Sequence, residues 1–123
     1  MRTVLTVEDN PFFARIYKAV LAPLGCRVVN AETVARAQDV LARERPHLAI
    51  VDVRLPDGSG LAVIRAIRQE PALREMPVIT ITTRAGGDQE REAFEAGTTA
   101  FLPKPLNIDD FKVFVSRYLA PAA

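Results

Sequence analysis

The chain has a single cysteine, Cys26, among its 123 residues. That excludes an intramolecular disulfide and any cysteine-rich metal site, and it fits a reducing compartment. Cys26 itself reads as a small apolar filler. A charge excess is equally lacking: 16 Lys and Arg face 15 Asp and Glu, a formal net charge of +1. Nothing in that balance points to direct contact with nucleic acid or an anionic membrane, so any charge-driven function must be local. No long hydrophobic run occurs at the start, where Met1 to Val7 reaches acidic residues after one short apolar stretch; this is neither a signal peptide nor a membrane span. A cytoplasmic protein with no membrane partner is the expectation. Internal repeats and low-complexity linkers are missing too, and only the Ala-Pro-Ala-Ala end reads as a disposable tail. Neither a Gly-x-x-x-x-Gly-Lys-Ser/Thr stretch nor a glycine-rich loop after the first apolar run is found, which argues against P-loop nucleotide and flavin roles.

What is present is enough apolar material for one core, 49% of the residues, and too short a chain for a second domain of ordinary size. We therefore expect one domain over residues 1–123. Short apolar runs rich in β-branched residues recur at Thr3–Val7, Arg27–Asn30, Leu48–Val51, Val78–Ile81 and Ala100–Leu102. Between them the period turns helical. Phe13, Ile16, Tyr17, Val20, Leu21 and Leu24 share one face, as do Leu61, Ile64 and Ile67, and later Ile108, Phe111, Val115 and Tyr118. Thr33–Arg43 and Gln89–Ala96 read as the remaining helices. Asn10-Pro11 supplies a cap followed by proline in the first turn, Gly25 and Gly97 stand where helices should stop, and Pro46 and Pro77 precede strands. Strand and helix alternating five times predicts a doubly wound α/β fold, a five-stranded parallel sheet with helices on both faces, because parallel neighbours need right-handed crossovers.

Glu8 and Asp9 follow the first predicted strand and Asp52 closes the third. If those strands adjoin, three carboxylates converge. Two like charges ~4 Å apart repel by ~4 kcal/mol at an effective dielectric of ~20, so three would need a counter-ion or a raised pKa. Mg²⁺, or the similar Mn²⁺, is the simplest answer, being a hard cation that takes oxygen ligands. Singly, Asp9 or Asn10 could be a helix cap and Asp52 a turn former; together they favour the flavodoxin-like strand order 2-1-3-4-5, in which strands one and three are neighbours and ligands gather beyond the carboxyl ends. Thr82 and Lys104 stand at the ends of the fourth and fifth strands, where a hydroxyl and an ammonium would both reach a phosphoryl group on Asp52.

In this order and spacing, Glu8-Asp9, Asp52, Thr82 and Lys104-Pro105 resemble the response-regulator receiver family of two-component signalling, in its stand-alone, chemotaxis-receiver-like form. Val7-Glu8-Asp9-Asn10, Leu55-Pro56-Asp57-Gly58-Ser59-Gly60 and Pro77-Val78-Ile79 resemble the family's consensus stretches. The resemblance covers essentially the whole chain. It implies that Asp52 accepts a phosphoryl group from a histidine kinase or histidine phosphotransfer protein. Glu8, Asp9, Asp52 and the backbone carbonyl of Arg54 would hold the metal, while Thr82 and Lys104 would contact the phosphoryl oxygens. It further implies a cis Lys104-Pro105 bond and a switch in which Thr82 and the aromatic residue Phe101 move together. That movement would alter the surface of the fourth helix, fifth strand and fifth helix for a protein target. Phe101 lacks the more familiar hydroxyl, so it acts by packing or is simply a buried core residue. On this reading the chain is a monomer or weak dimer, and it is a phosphoacceptor catalysing its own phosphotransfer and slow dephosphorylation.

Three positions depart from the family pattern. Thr83 replaces a small residue beside Thr82 and would narrow access. Arg54 and Arg84, each two residues beyond a site residue, would either cover the phosphoryl group and slow water attack or point into solvent. His47, remote from the expected site, is given no catalytic part, and Arg65, Arg68, Glu70, Arg74 and Glu75 read as a solvated helix face. Two other functions compete. A phosphate-independent binding module would not need all five key residues, and a phosphohydrolase resembling the haloacid-dehalogenase group would want an acid where Arg54 stands.

Overall fold

A computed structural model describes residues 2–83 and 87–119. Five parallel strands, β1 (Arg2–Val7), β2 (Cys26–Ala31), β3 (Leu48–Asp52), β4 (Val78–Thr82) and β5 (Ala100–Pro103), make one sheet in the order β2-β1-β3-β4-β5. The helices are α1 (Pro11–Leu21), α2 (Val34–Arg43), α3 (Gly60–Gln69), α4 (Gly87–Ala96) and α5 (Ile108–Leu119). This is the predicted doubly wound, flavodoxin-like arrangement. A separate two-residue ladder, Arg54–Leu55 against Gly58–Ser59, bridges β3 and α3. No helix among the described residues is long and apolar enough to cross a membrane.

The strands are apolar on both sides because both faces are covered. Leu5, Ala49, Val51 and Val78 face a core built with Ala37 and Leu41 of α2, Val63, Ile64 and Ile67 of α3, and Ala93 and Ala96 of α4. Val4, Leu48, Ile50, Ile79 and Ile81 face the other core, with Tyr17 and Leu21 of α1 and Phe111, Val115 and Leu119 of α5. Each fully buried aliphatic side chain contributes roughly 1.5–3 kcal/mol, so the two layers hold the sheet from both sides.

The helix ends follow the sequence signals with one exception. Asn10 Oδ1 accepts the Phe12 N–H at 2.9 Å, and Thr33 Oγ1 accepts the Arg36 N–H at 3.0 Å, each a cap worth about 1 kcal/mol. The apolar stripe expected to run to Leu24 stops at Leu21. Pro23 cannot continue the α-helical ladder, so residues Ala22–Leu24 tighten into a 3₁₀ turn and Leu24 is exposed. Cys26 is half-buried against the α1–α5 core, as a filler would be. His47 Nδ1 accepts the Thr3 N–H at 3.0 Å, at the amino end of the sheet.

Candidate functional site

Register brings the acidic residues together. Val7 pairs with Val51 across β1 and β3, so Glu8 and Asp52 leave the sheet side by side. The β1–β2 ladder continues one residue further, with the Glu8 N–H donating to the Ala31 carbonyl at 2.9 Å. Across β4 and β5, Thr82 pairs with Pro103, and the Lys104 N–H donates to the Thr82 carbonyl at 2.7 Å. Four strand ends thus deliver Glu8, Asp52, Thr82 and Lys104 to one edge, the carboxyl edge where doubly wound sheets bind ligands. The approach of α3 is close there: a Cβ on Gly60 would lie 2.0 Å from the Asp52 carbonyl oxygen, so only glycine fits.

The site is buried and charged. Lys104 Nζ donates to Glu8 Oε1 at 2.7 Å and to Asp52 Oδ2 at 3.1 Å. Glu8 Oε1 also accepts from the Tyr17 hydroxyl at 2.9 Å, and Glu8 Oε2 accepts the Asn10 N–H at 3.2 Å. Asp52 Oδ1 accepts the Arg54 N–H at 3.1 Å. Burial pushes the Glu8 carboxyl above the usual glutamate range, against the pull of the Lys104 ammonium, and burial together with Glu8 holds the Tyr17 phenol well above its ordinary value.

Carboxylate oxygens of Glu8, Asp9 and Asp52 lie within 4.8 Å of one another, Asp9 exposed and the other two buried. Among the described residues, one buried ammonium stands against these three carboxylates. The donor set is all hard oxygen and electrically unfinished, which fits a small divalent cation of the Mg²⁺ class. Thr82 Oγ1 is buried and has no hydrogen-bond partner among the described residues. A buried hydroxyl without a partner is costly.

The chain as a whole resembles known proteins. Residues 4–116 match the response regulator receiver domain family. The chain belongs to that family. The polar-differentiation response regulator DivK of Brucella anthropi is 28% identical over 121 residues, 98% of each chain. A putative response regulator from Chloroflexus aurantiacus superposes with a TM-score of 0.90 at 28% identity, over 98% of both chains. The receiver domain of the sensor histidine kinase PA1611 from Pseudomonas aeruginosa, whose structure holds a magnesium ion in its active-site cleft, superposes with a TM-score of 0.87 at 28% identity, again over 98% of both. The protein is thus a receiver domain of two-component signalling; such domains are phosphoacceptor signalling proteins that work with histidine kinases or phosphotransfer proteins and with downstream targets.

Within this receiver, Glu8, Asp9, Asp52, Thr82 and Lys104 gather as their spacing suggests. Thr83 is exposed just past β4, and Arg54 is exposed in the short ladder beyond Asp52. Arg84 lies outside the described residues. Phe101 is half-buried against the α2–α4 side of the sheet, and the Lys104–Pro105 bond is cis.

The solvated-face reading of Arg68 is corrected. Its guanidinium is half-buried and donates to the carbonyls of Gly97 at 2.8 Å, Arg74 at 3.0 Å and Met76 at 2.6 Å. A Cβ on Gly97 would meet Arg68 Cγ at 2.6 Å, so the bare glycine makes room for this clamp. Glu70, Arg74 and Glu75 lie beyond the end of α3, which stops at Gln69. Periodicity assigns arginine to water by default and carries no signal for acceptors that come from distant turns.

Sequence reasoning also missed Tyr17, Phe13 and Asp57. Tyr17 and Phe13 sit on an apolar stripe and read as core, although a buried tyrosine hydroxyl needs a partner and could have prompted a search for one. Asp57 accepts the N–H groups of Val34 at 2.8 Å and Ala35 at 3.1 Å, fastening the loop after Asp52 to the start of α2; these bonds hold its carboxyl below the usual aspartate range.

Proposed function

We propose that this receiver is a phosphorylation-dependent switch in which Asp52 is the phosphoacceptor. Residues 1–123 are read as one signalling unit. An Asp52 carboxylate oxygen attacks the phosphorus of a phosphohistidine on a histidine kinase or histidine phosphotransfer protein. The P–O bond to Asp52 forms as the P–N bond breaks, and the imidazole leaves. Glu8, Asp9, Asp52 and the backbone carbonyl of Arg54 would hold Mg²⁺ or Mn²⁺, which when bound supplies positive charge to the phosphoryl oxygens.

The observation that carries the reading is the presence, on one sheet edge, of a buried hydroxyl without a partner among the described residues, Thr82 Oγ1, and an ammonium seated on Asp52. In the unmodified chain Lys104 divides its bonds between Glu8 and Asp52. A phosphoryl group on Asp52 offers new acceptor oxygens to both Lys104 and Thr82, so these contacts exist only in the modified state. Shifting a two-state equilibrium a hundredfold each way takes ~5.5 kcal/mol, which several charge-assisted hydrogen bonds supply and one does not. Movement of Thr82, with repacking of Phe101 on the same pair of strands, would carry the change to the α4–β5–α5 surface, where a protein target binds. The chain acts as a monomer or weak dimer in the cytoplasm, without nucleic acid or membrane contact.

Intact mass tests this reading. With Mg²⁺ and acetyl phosphate, the wild type should gain one phosphoryl group, and Asp52→Ala should gain none, as should the wild type with the metal chelated. A folded wild type that stays unmodified beside a competent receiver in the same tube refutes the assignment and favours a phosphate-independent binding module.

A further inference from the structure

The first turns of α1 carry two aromatic side chains that the phosphoryl chemistry above leaves unused. Phe13 and Tyr17 are four residues apart, so they lie one above the other on the same helical face. Lys104 Nζ lies 4.0 Å from the centroid of the Phe13 ring, within cation–π range. The Tyr17 hydroxyl donates to Glu8 Oε1, the same oxygen that accepts from Lys104. Tyr17 is in turn held in place by Phe111, at 5.6 Å between ring centroids.

We propose that Phe13 and Tyr17 are positioning residues that hold the Lys104 ammonium at Asp52. The inference rests on the phosphoacceptor role given to Asp52. An ammonium has three donors and a flexible four-carbon stem, so its place is set by whatever surrounds it. Two donors go to Glu8 and Asp52; the ring of Phe13 covers the ammonium with a weakly attracting face that takes no hydrogen bond, and so keeps water from competing for it. Tyr17 acts through Glu8. By donating to Oε1 it takes up part of that oxygen's accepting capacity, so Glu8 alone does not draw the ammonium away from Asp52. The buried glutamate, the lysine and the two aromatics therefore form one unit, with α1 as its frame.

Three variants separate the ring face, the hydroxyl and mere bulk. Phe13→Leu keeps an apolar side chain and removes the π face; Phe13→Tyr keeps the face; Tyr17→Phe removes only the hydroxyl. With acetyl phosphate and Mg²⁺, we expect Phe13→Leu to slow phosphoryl uptake about tenfold, Tyr17→Phe to slow it severalfold, and Phe13→Tyr to stay within about twofold of wild type. Because both residues act through Lys104, the double variant should lose less than the product of the single losses. A readout that needs neither metal nor donor accompanies the rates. The Lys104 side-chain proton resonances should carry the ring-current shift of Phe13, lose it in Phe13→Leu and keep it in Phe13→Tyr.

Resonances that do not move in Phe13→Leu, or uptake that is unchanged in both Phe13→Leu and Tyr17→Phe while the wild type is phosphorylated, overturn the inference and leave the phosphoacceptor reading standing. A wild type that takes no phosphoryl group overturns that reading and the role of Phe13 with it, whatever the resonances show. Should Phe13→Leu fail to fold, Tyr17→Phe and Phe13→Tyr still decide, since equal slowing in those two would mean that packing alone is being disturbed.

Discussion

The two ends of the sheet treat polar groups in opposite ways. At the amino end, Thr98 Oγ1 lies 2.7 Å from Thr80 Oγ1 and within donating distance of either the Val78 or the Ala100 carbonyl. Thr99 Oγ1 accepts from the Val78 N–H, and the Arg68 guanidinium spreads over three backbone carbonyls. At the carboxyl end, three carboxylates meet one buried ammonium, and a buried threonine hydroxyl has no partner among the described residues. Each end contains a cation tied to the chain, Arg68 half-buried and Lys104 buried. Arg68 is satisfied by neutral acceptors that have nowhere else to go, so it fixes the chain in one arrangement. Lys104 is shared between acids that would yield it to a stronger acceptor, so it is fit to change partners. On the proposed function, stability and switching are then separated: polar groups are satisfied at one end of the sheet and left partly unsatisfied, among the described residues, at the other.

The largest effect that would test this contrast is expected from Lys104→Met. Removing one member of a buried ionic group leaves the others uncompensated, and near neutral pH we expect a loss of about 3 kcal/mol in urea unfolding. The loss should depend on pH in a known direction. Glu8 is held above its unfolded pKa by burial. A carboxyl raised in this way keeps its proton longer in the folded state, so stability is highest below the unfolded pKa and falls as pH rises through the folded one. Lys104 opposes that rise, and without it the folded pKa moves further up. The deficit of Lys104→Met should therefore be smallest in acid and grow as pH rises.

Arg68→Met comes next, with a loss of about 2 kcal/mol from the unsatisfied carbonyls it leaves. Its acceptors do not titrate, so its deficit should stay level over the same pH range. Parallel pH profiles for the two variants would break the comparison, because both cations would then be doing the same structural job.

These contrasts were unequally visible in the sequence. The alternation of β-branched runs with helical stripes announced the sheet, and residues closing strands were expected at its carboxyl edge. Glu8, Asp52, Thr82 and Lys104 could be grouped because strand ends in a parallel sheet share that edge. Leu24 was misread because the helical period runs smoothly through it, although Pro23 forbids the continuation. Arg68 was hidden for another reason: its partners are backbone carbonyls of turns up to 29 residues away, and carbonyls leave no mark in a sequence. Phe13 and Tyr17 sit where any core aromatic would sit, and only the three-dimensional placement of Lys104 gives their ring face and hydroxyl a second use.

The smallest effect bears most directly on the unfinished end. Thr82→Val exchanges a hydroxyl for a methyl of nearly the same size. A buried hydroxyl without a partner costs desolvation energy and returns nothing, so its removal should be neutral or should stabilise the fold by about 0.5–1 kcal/mol. The same exchange at Thr98 removes a hydroxyl that pairs with Thr80 Oγ1 and has two backbone carbonyls as alternative acceptors for its one proton. It leaves Thr80 Oγ1 without its neighbour and should destabilise by about 1–2 kcal/mol. Urea midpoints of the two variants, at matched slopes, should therefore show no loss for Thr82→Val and a clear loss for Thr98→Val. A loss at Thr82 equal to that at Thr98 would mean that the Thr82 hydroxyl is already bonded in solution, and the carboxyl end would then be no less complete than the amino end. No loss at Thr82 beside a loss at Thr98 would mean that the chain tolerates an unsatisfied hydroxyl where, on the proposed function, a phosphoryl oxygen on Asp52 would come within its reach.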